Sequence, residues 1–255
     1  MDPIIELHDV EGDGNCFYRS LFDIIRNDPL IMQSFSIPCP RREECKKEDE
    51  DFAVQAIRNK VADAFFVNRD RSEYIIAKNM MKGLIELLQT MTDHEEIKNL
   101  QSMYPLLSYV RRTLRRSQNT DVVPVEERNA FLFLLCMNNC ARVIREKPIC
   151  ASSIEIEIVR HILEKHHGVH LEIISDKYIF LHPHEKKWMN DLHNSLVAQG
   201  INGKDNLRVA LMMNCDNVHY MYASFVKTTS RNPASTLFEN RLLLALIQKQ
   251  LVYSR

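Results

Sequence analysis

Glycine is scarce in this chain, with six residues in 255. Two of the six, Gly12 and Gly14, flank a single aspartate, so in so poor a background their clustering points to a backbone requirement rather than chance. Charge of one sign is also missing. The formal net charge is −1, and bulk electrostatics therefore give no case for nucleic-acid or membrane-surface binding. Long apolar runs are absent: the longest, Ala130 to Met137, is far too short to cross a bilayer. The start Met-Asp-Pro-Ile-Ile-Glu has neither a basic segment nor an apolar stretch, so no secretory signal is expected. Seven cysteines form an odd set without a disulfide framework. Free thiols in a reducing, cytoplasmic compartment are the expectation.

What is present is a core-forming composition, 45% hydrophobic and 26% charged, and one dense motif. Residues 11–20 read Glu-Gly-Asp-Gly-Asn-Cys-Phe-Tyr-Arg-Ser. Gly12 and Gly14 permit backbone angles closed to other residues, and Asn15 is a good N-cap. Phe17, Leu21, Ile24 and Ile25 follow at helical spacing. Cys16 is thus expected on the first turn of a helix, where unpaired N–H groups and the positive end of the dipole converge. That setting favours thiolate over thiol, and the same amides can stabilise an oxyanion beside the sulfur.

Residues 4–10 read as an edge strand, and the Cys16 helix is expected to stop at Asp28-Pro29. Residues 30–50 read as a surface loop, with a helix from about Asp51. Segments 72–90, 93–103, 105–117 and 124–146 show helical periodicity, with Pro105 and Pro124 in first-turn positions. After Cys150, Ser152-Ser153-Ile154-Glu155 matches a capping box for a helix closing at Gly168. Strand-like runs follow at 170–175, 178–181, 207–213 and 218–225, the last two reading as a hairpin around Asn214–Asn217. Residues 236–253 read as a final amphipathic helix.

A cysteine nucleophile needs a base, usually a histidine held by a third group. Of ten histidines, His219 has the best context, because it opens a strand whose alternation puts it with Met221, Ala223 and Phe225. Standing alone, such a histidine reads first as an ordinary structural one.

Asp-Gly-Asn-Cys-Phe-Tyr-Arg-Ser followed late in the chain by Asn217-x-His219-Tyr220 resembles the ovarian tumour (OTU) family of cysteine peptidases. The resemblance covers roughly residues 1–70 and 150–226. It implies an α+β fold with a papain-like core, a small central sheet flanked by helices and a nucleophile at a helix N-terminus, carrying an all-helical insertion. The implied organisation is a catalytic core of 1–71 and 148–226, an insertion at 72–147 and a C-terminal helix in 227–255. The implied activity is hydrolysis of isopeptide bonds after the C-terminal glycine of ubiquitin, with Cys16 as nucleophile and His219 as general base. Asp13 shapes the loop, and the backbone of Gly14 and Asn15 contributes to the oxyanion hole. No cofactor or metal is implied. The partners are ubiquitin, polyubiquitin and ubiquitinated proteins, with neither nucleic acid nor membrane. A non-catalytic ubiquitin-binding adaptor and a peptidase for a ubiquitin-like modifier are the alternatives.

One departure stands out. Many members carry Asp or Asn two residues after the histidine to orient the imidazole; here that residue is Met221, which accepts no useful hydrogen bond. Asn217, Glu6 and Asp9 are the candidates to replace it. Trp188 reads either as a wall of the groove for the ubiquitin tail or as an ordinary anchor. Cys136 and Cys140 read as core, His161, His166, His167 and His170 as a helix-end cluster. Arg111, Arg112, Arg115 and Arg116 read as a solvated stripe or a docking face for an acidic partner.

Overall fold

The computed structural model describes residues 4–38, 47–66, 71–91, 106–117, 125–175, 187–201, 207–215, 219–226 and 236–252. In chain order the elements are β1 (Ile4–His8), α1 (Cys16–Ile25), α2 (Pro29–Ser34), α3 (Lys47–Asp63), α4 (Arg71–Thr90), α5 (Leu107–Ser117), α6 (Val125–Glu146), α7 (Ser153–His167), β2 (Val169–Ser175), α8 (Lys187–Ala198), β3 (Arg208–Cys215), β4 (His219–Val226), β5 (Leu237–Glu239) and α9 (Asn240–Val252). This is a mixed α and β chain, mostly helical, with one small mixed sheet. Two units are distinct: Met1–Gly12, Cys16–Ser34 and Leu163–Arg255 form the first, and Asp13–Asn15 with Phe35–Ile162 form the second.

The first unit is built on the sheet, in the order β1-β4-β3-β2. β2 runs parallel to β3, while β4 is antiparallel to both β3 and β1. The short β5 pairs with the first half of β3. Side-chain alternation divides the sheet faces. Val209, Leu211, Met213, Met221 and Ala223 share an apolar core with Leu192 and Leu196 of α8 and with Leu243 and Ile247 of α9. Tyr220 has the opposite parity and meets Phe17 of α1. β1 is the expected edge strand, and its pairing with β4 brings the start of the chain beside the late hairpin.

Three local readings need correction. The expected loop at 30–50 contains α2, whose Ile31 and Met32 are buried. Asp28 caps it, accepting from the amides of Leu30 and Ile31 while also binding Arg208 at 2.7 Å. Helix α3 begins at Lys47, because the charge run that reads as a loop places Glu48, Asp49 and Glu50 in its first turn, where the dipole favours them. The final helix begins only at Asn240, after β5. The expected helix at 93–103 and strand at 178–181 lie outside the described residues.

The second unit contains α3 to α6 and most of α7. Helix α6 packs against α3, α4 and α5. Within the unit Arg145 binds Asp63 at 2.5 Å, and Glu73 is a buried carboxylate with Lys60 at 3.2 Å. The N-terminus of α7 makes one half of the expected capping box: the Glu155 carboxylate accepts the amide of Ser152 at 2.7 Å, while the buried Ser152 hydroxyl makes no hydrogen bond among the described residues. Gly168, with φ +58°, ends it.

On β2, the outer strand of the sheet, buried His170 bridges two carboxylates, with Nδ1 at 2.7 Å from Glu164 and Nε2 at 2.9 Å from Glu172. Glu172 also accepts from Ser195 at 2.6 Å and Gln199 at 3.0 Å, both from α8 or just beyond it. Burial alone pushes His170 down, but its bonds to Glu172 and Glu164 outweigh that and hold it above its usual 6.5. Burial pushes Glu172 up, and its bonds to His170, Ser195 and Gln199 outweigh that in turn, leaving it below the usual range. A raised histidine contributes stability that is full below its unfolded pKa and fades as pH rises through the folded one. Unfolding titrations should therefore show the advantage of wild type over His170→Gln at its greatest between about pH 4.5 and 6.5, shrinking above it as His170 loses its proton and below it as Glu172 gains one. A difference that is flat with pH contradicts the bridging role.

Candidate active site

Cys16 is the first residue of α1, and the helix forms because Phe17, Leu21, Ile24 and Ile25 give it one fully buried stripe. Cys16 itself is 1% exposed. The first turn lies against the start of β4: the Phe17 ring meets Tyr220 edge-on, 5.2 Å between centroids, and the Ser20 hydroxyl donates to the Tyr220 carbonyl at 3.3 Å. His219 is the residue just before Tyr220, so the first turn of α1 packs beside the start of β4, while alternation gives the His219 side chain the parity of Met221 and not that of Tyr220.

His219 Nε2 lies 2.6 Å from Asp9 Oδ1. A carboxylate at that distance places the imidazole proton on Nε2 and leaves Nδ1 as the basic nitrogen. Nδ1 faces the segment leading to Cys16: a Cβ built on Gly12 would sit 3.7 Å from it. The value of Gly12 is thus room beside the imidazole. It is not among the positive-φ glycines, contrary to the reading of both loop glycines as backbone-angle requirements. Further along the same segment Glu11 reaches Arg19 of α1 at 3.6 Å, an ion pair between an exposed carboxylate and a guanidinium that is 5% exposed.

The register accounts for the approach of Asp9 to His219. β1 pairs with β4 as Ile4↔Val226 through His8↔Tyr222. One more step along that ladder sets Asp9 across from Met221. The carboxylate thus reaches His219 from the neighbouring strand. Met221 is buried in the core of the first unit. Glu6 pairs with Ser224, further along the sheet, and Asn217 lies outside the described residues.

The loop residues Asp13, Gly14 and Asn15 pack in the second unit. The Asp13 carboxylate accepts the Asn15 amide at 2.9 Å and its side-chain NH2 at 3.1 Å, a local turn closed by the aspartate. Gly14 has φ +83°, and a Cβ there would lie 2.7 Å from the Pro148 carbonyl oxygen. Asn15 occupies the N-cap position, but its side-chain oxygen accepts from Arg58 at 2.5 Å, so the capping role read from the sequence gives way to a longer-range bond.

The remaining candidates disperse. Trp188 falls in the first turn of α8, and its side chain is outside the described residues. Burial pushes the Cys136 thiol up to about 11 and Cys140 well above its usual range, which makes both inert core thiols at neutral pH. His161 pairs with Ser72, His167 with Ser34 and His170 with its two glutamates. No cluster suited to a metal ion occurs among the described residues, and no described helix is long and apolar enough to cross a membrane. A cavity of about 410 Å3 in the second unit, lined by Lys78, Lys82, Ile85, Leu114, Leu132 and Phe133, contains none of the residues above. One thiol escaped the sequence reading: buried Cys215 pairs directly across the ladder from His219. The hairpin pattern contained this pairing, but only the register reveals it.

Gly14→Ala should cost about 1–2 kcal/mol for the left-handed backbone alone, and more because its Cβ meets main-chain atoms that cannot rotate away. Chemical denaturation checks this; a loss under about 0.5 kcal/mol contradicts the geometry. Comparison of the chain with protein-family models, with curated proteins and with solved structures finds no match in any of the three.

Proposed function

We propose that this chain is a cysteine peptidase with a papain-like OTU core that releases ubiquitin by cleaving after its C-terminal glycine. The observation that carries the reading is the 2.6 Å bond between His219 Nε2 and Asp9. It offers the third group that the sequence pattern lacks at Met221, and it leaves the other ring nitrogen beside Gly12, in the loop before Cys16. The sequence motif around Cys16 and the order of cysteine before histidine along the chain support the same reading. The case for a non-catalytic adaptor rests on Met221 alone and weakens once Asp9 takes its role.

In the proposed reaction His219 Nδ1 takes the proton of Cys16, and the thiolate attacks the carbonyl carbon of the ubiquitin terminal glycine. The oxyanion is held by amides of the loop and of the first turn of α1. The imidazolium then protonates the leaving lysine amine, and the C–N bond breaks to give a thioester. Water, deprotonated by His219, hydrolyses that thioester and restores the thiol. Since Cys16 is almost wholly covered, productive binding includes a movement that uncovers the sulfur.

Turnover of a fluorogenic ubiquitin C-terminal amide tests this. Cys16→Ala should abolish it, and His219→Ala should lower kcat/KM by about 10²–10⁴-fold with the fold intact. Asp9→Ala should lower it by less than His219→Ala does, because its carboxylate is exposed to water. Wild-type-like rates in Cys16→Ala or His219→Ala contradict the assignment. A full loss in Asn217→Ala with none in Asp9→Ala moves the orienting role to Asn217. Cleavage confined to the amide of a ubiquitin-like modifier would keep the chemistry and change the substrate.

A further inference from the structure

Arg58 is 2% exposed in the middle of α3. A buried guanidinium must have its donors satisfied, and here the acceptors come from two separate stretches of chain. Nε donates to the Ile144 carbonyl at 2.7 Å, and Nη2 donates to the Lys147 carbonyl. These oxygens belong to the last turn of α6 and the residue just past its end, where a helix leaves carbonyls unpaired and carries negative partial charge. Nη1 donates to Asn15 Oδ1 at 2.5 Å. The planar guanidinium fixes these directions relative to one another. The backbone adds a second hold, since Gly14 lies so close to the Pro148 carbonyl that no side chain fits between them.

We propose that Arg58 is a positioning residue for the nucleophile: by holding Asn15 against the end of α6, it fixes the backbone from which Cys16 projects. This rests on the reading of Cys16 as nucleophile. All the contacts lie within the second unit, and they reach Cys16 through the Asn15–Cys16 peptide bond. The hold also decides what the Asn15 side chain does. Its NH2 group is bound to Asp13 and its oxygen to Arg58. An asparagine released from Arg58 is free to cap α1 by accepting from the first-turn amides, the donors that the proposed oxyanion requires. Arg58 thus keeps the asparagine away from those donors, and the end of α6 becomes part of what sets the reactivity of the cysteine.

The test reads Cys16 directly. Alkylation by iodoacetamide is followed against pH by mass spectrometry of the Cys16 peptide, in wild type, Arg58→Met, Asn15→Ala and the double variant. Asn15→Ala leaves the bonds of Arg58 to α6 in place, so it stays informative if Arg58→Met does not fold. The expected result is a midpoint raised by about one pH unit, a tenfold change in thiolate fraction. Kcat for the ubiquitin amide should fall about tenfold at little change in KM. The double variant should be no worse than Arg58→Met, because both substitutions break one linkage. A wild-type profile in Asn15→Ala overturns the proposal, as does an Arg58→Met protein that differs only in melting temperature. If the profile shifts as expected while wild type cleaves no ubiquitin or ubiquitin-like amide, the positioning role stands and the deubiquitinase reading falls.

Discussion

The candidate chemistry depends on a single tie between Asp9 and His219, residues 210 positions apart in sequence. An imidazole at the first position of a strand can turn freely unless something holds one of its nitrogens. Here the antiparallel ladder between β1 and β4 delivers a carboxylate to that nitrogen. Because the ladder is fixed at its far end by five consecutive residue pairs, the orientation of His219 follows from sheet register and does not require a third residue on β4. Met221 thus joins the apolar core while the imidazole is held from β1.

The same economy runs through the loop that precedes Cys16. Asp9 holds His219, Glu11 holds Arg19, Asp13 closes the turn, and Asn15 is held by Arg58. Every second residue from 9 to 15 is thus engaged by its side chain, while Gly12 and Gly14 provide the space for an imidazole and a main-chain carbonyl. An exposed carboxylate such as Asp9 contributes little to stability. Its value is directional, since it selects one tautomer and one ring orientation.

Much of this was legible in the sequence. The Gly-Asp-Gly-Asn-Cys segment announced a tight loop and a helix because those residue types have few other uses in that order. The hairpin that carries His219 showed as two apolar runs around a polar turn. The helical region between 72 and 147 followed from its periodicity, and α4, α5 and α6 lie in it. What stayed hidden was everything set by pairing across distance. Asp9, Glu6 and Asn217 could not be ranked, because only the β1–β4 register brings Asp9 level with Met221. Arg58 carried no signal, since a lone arginine on a helix reads as solvated until its burial is known. Helix α2 was missed because prolines and cysteines around it suggested turns, and the start of α3 because a run of charges resembles a loop when its helix dipole is not yet visible.

The central claim is that one thiol among seven, Cys16, performs the attack. The competitor is Cys215, which pairs with His219 across the ladder but sits in the apolar core at the end of β3 rather than on the first turn of a helix. Reaction of the protein with ubiquitin carrying a C-terminal electrophile, followed by peptide mapping of the adduct, decides between them. The account predicts a single adduct on Cys16 that is lost in Cys16→Ala; an adduct on Cys215, or none on any cysteine while ubiquitin still binds, contradicts it.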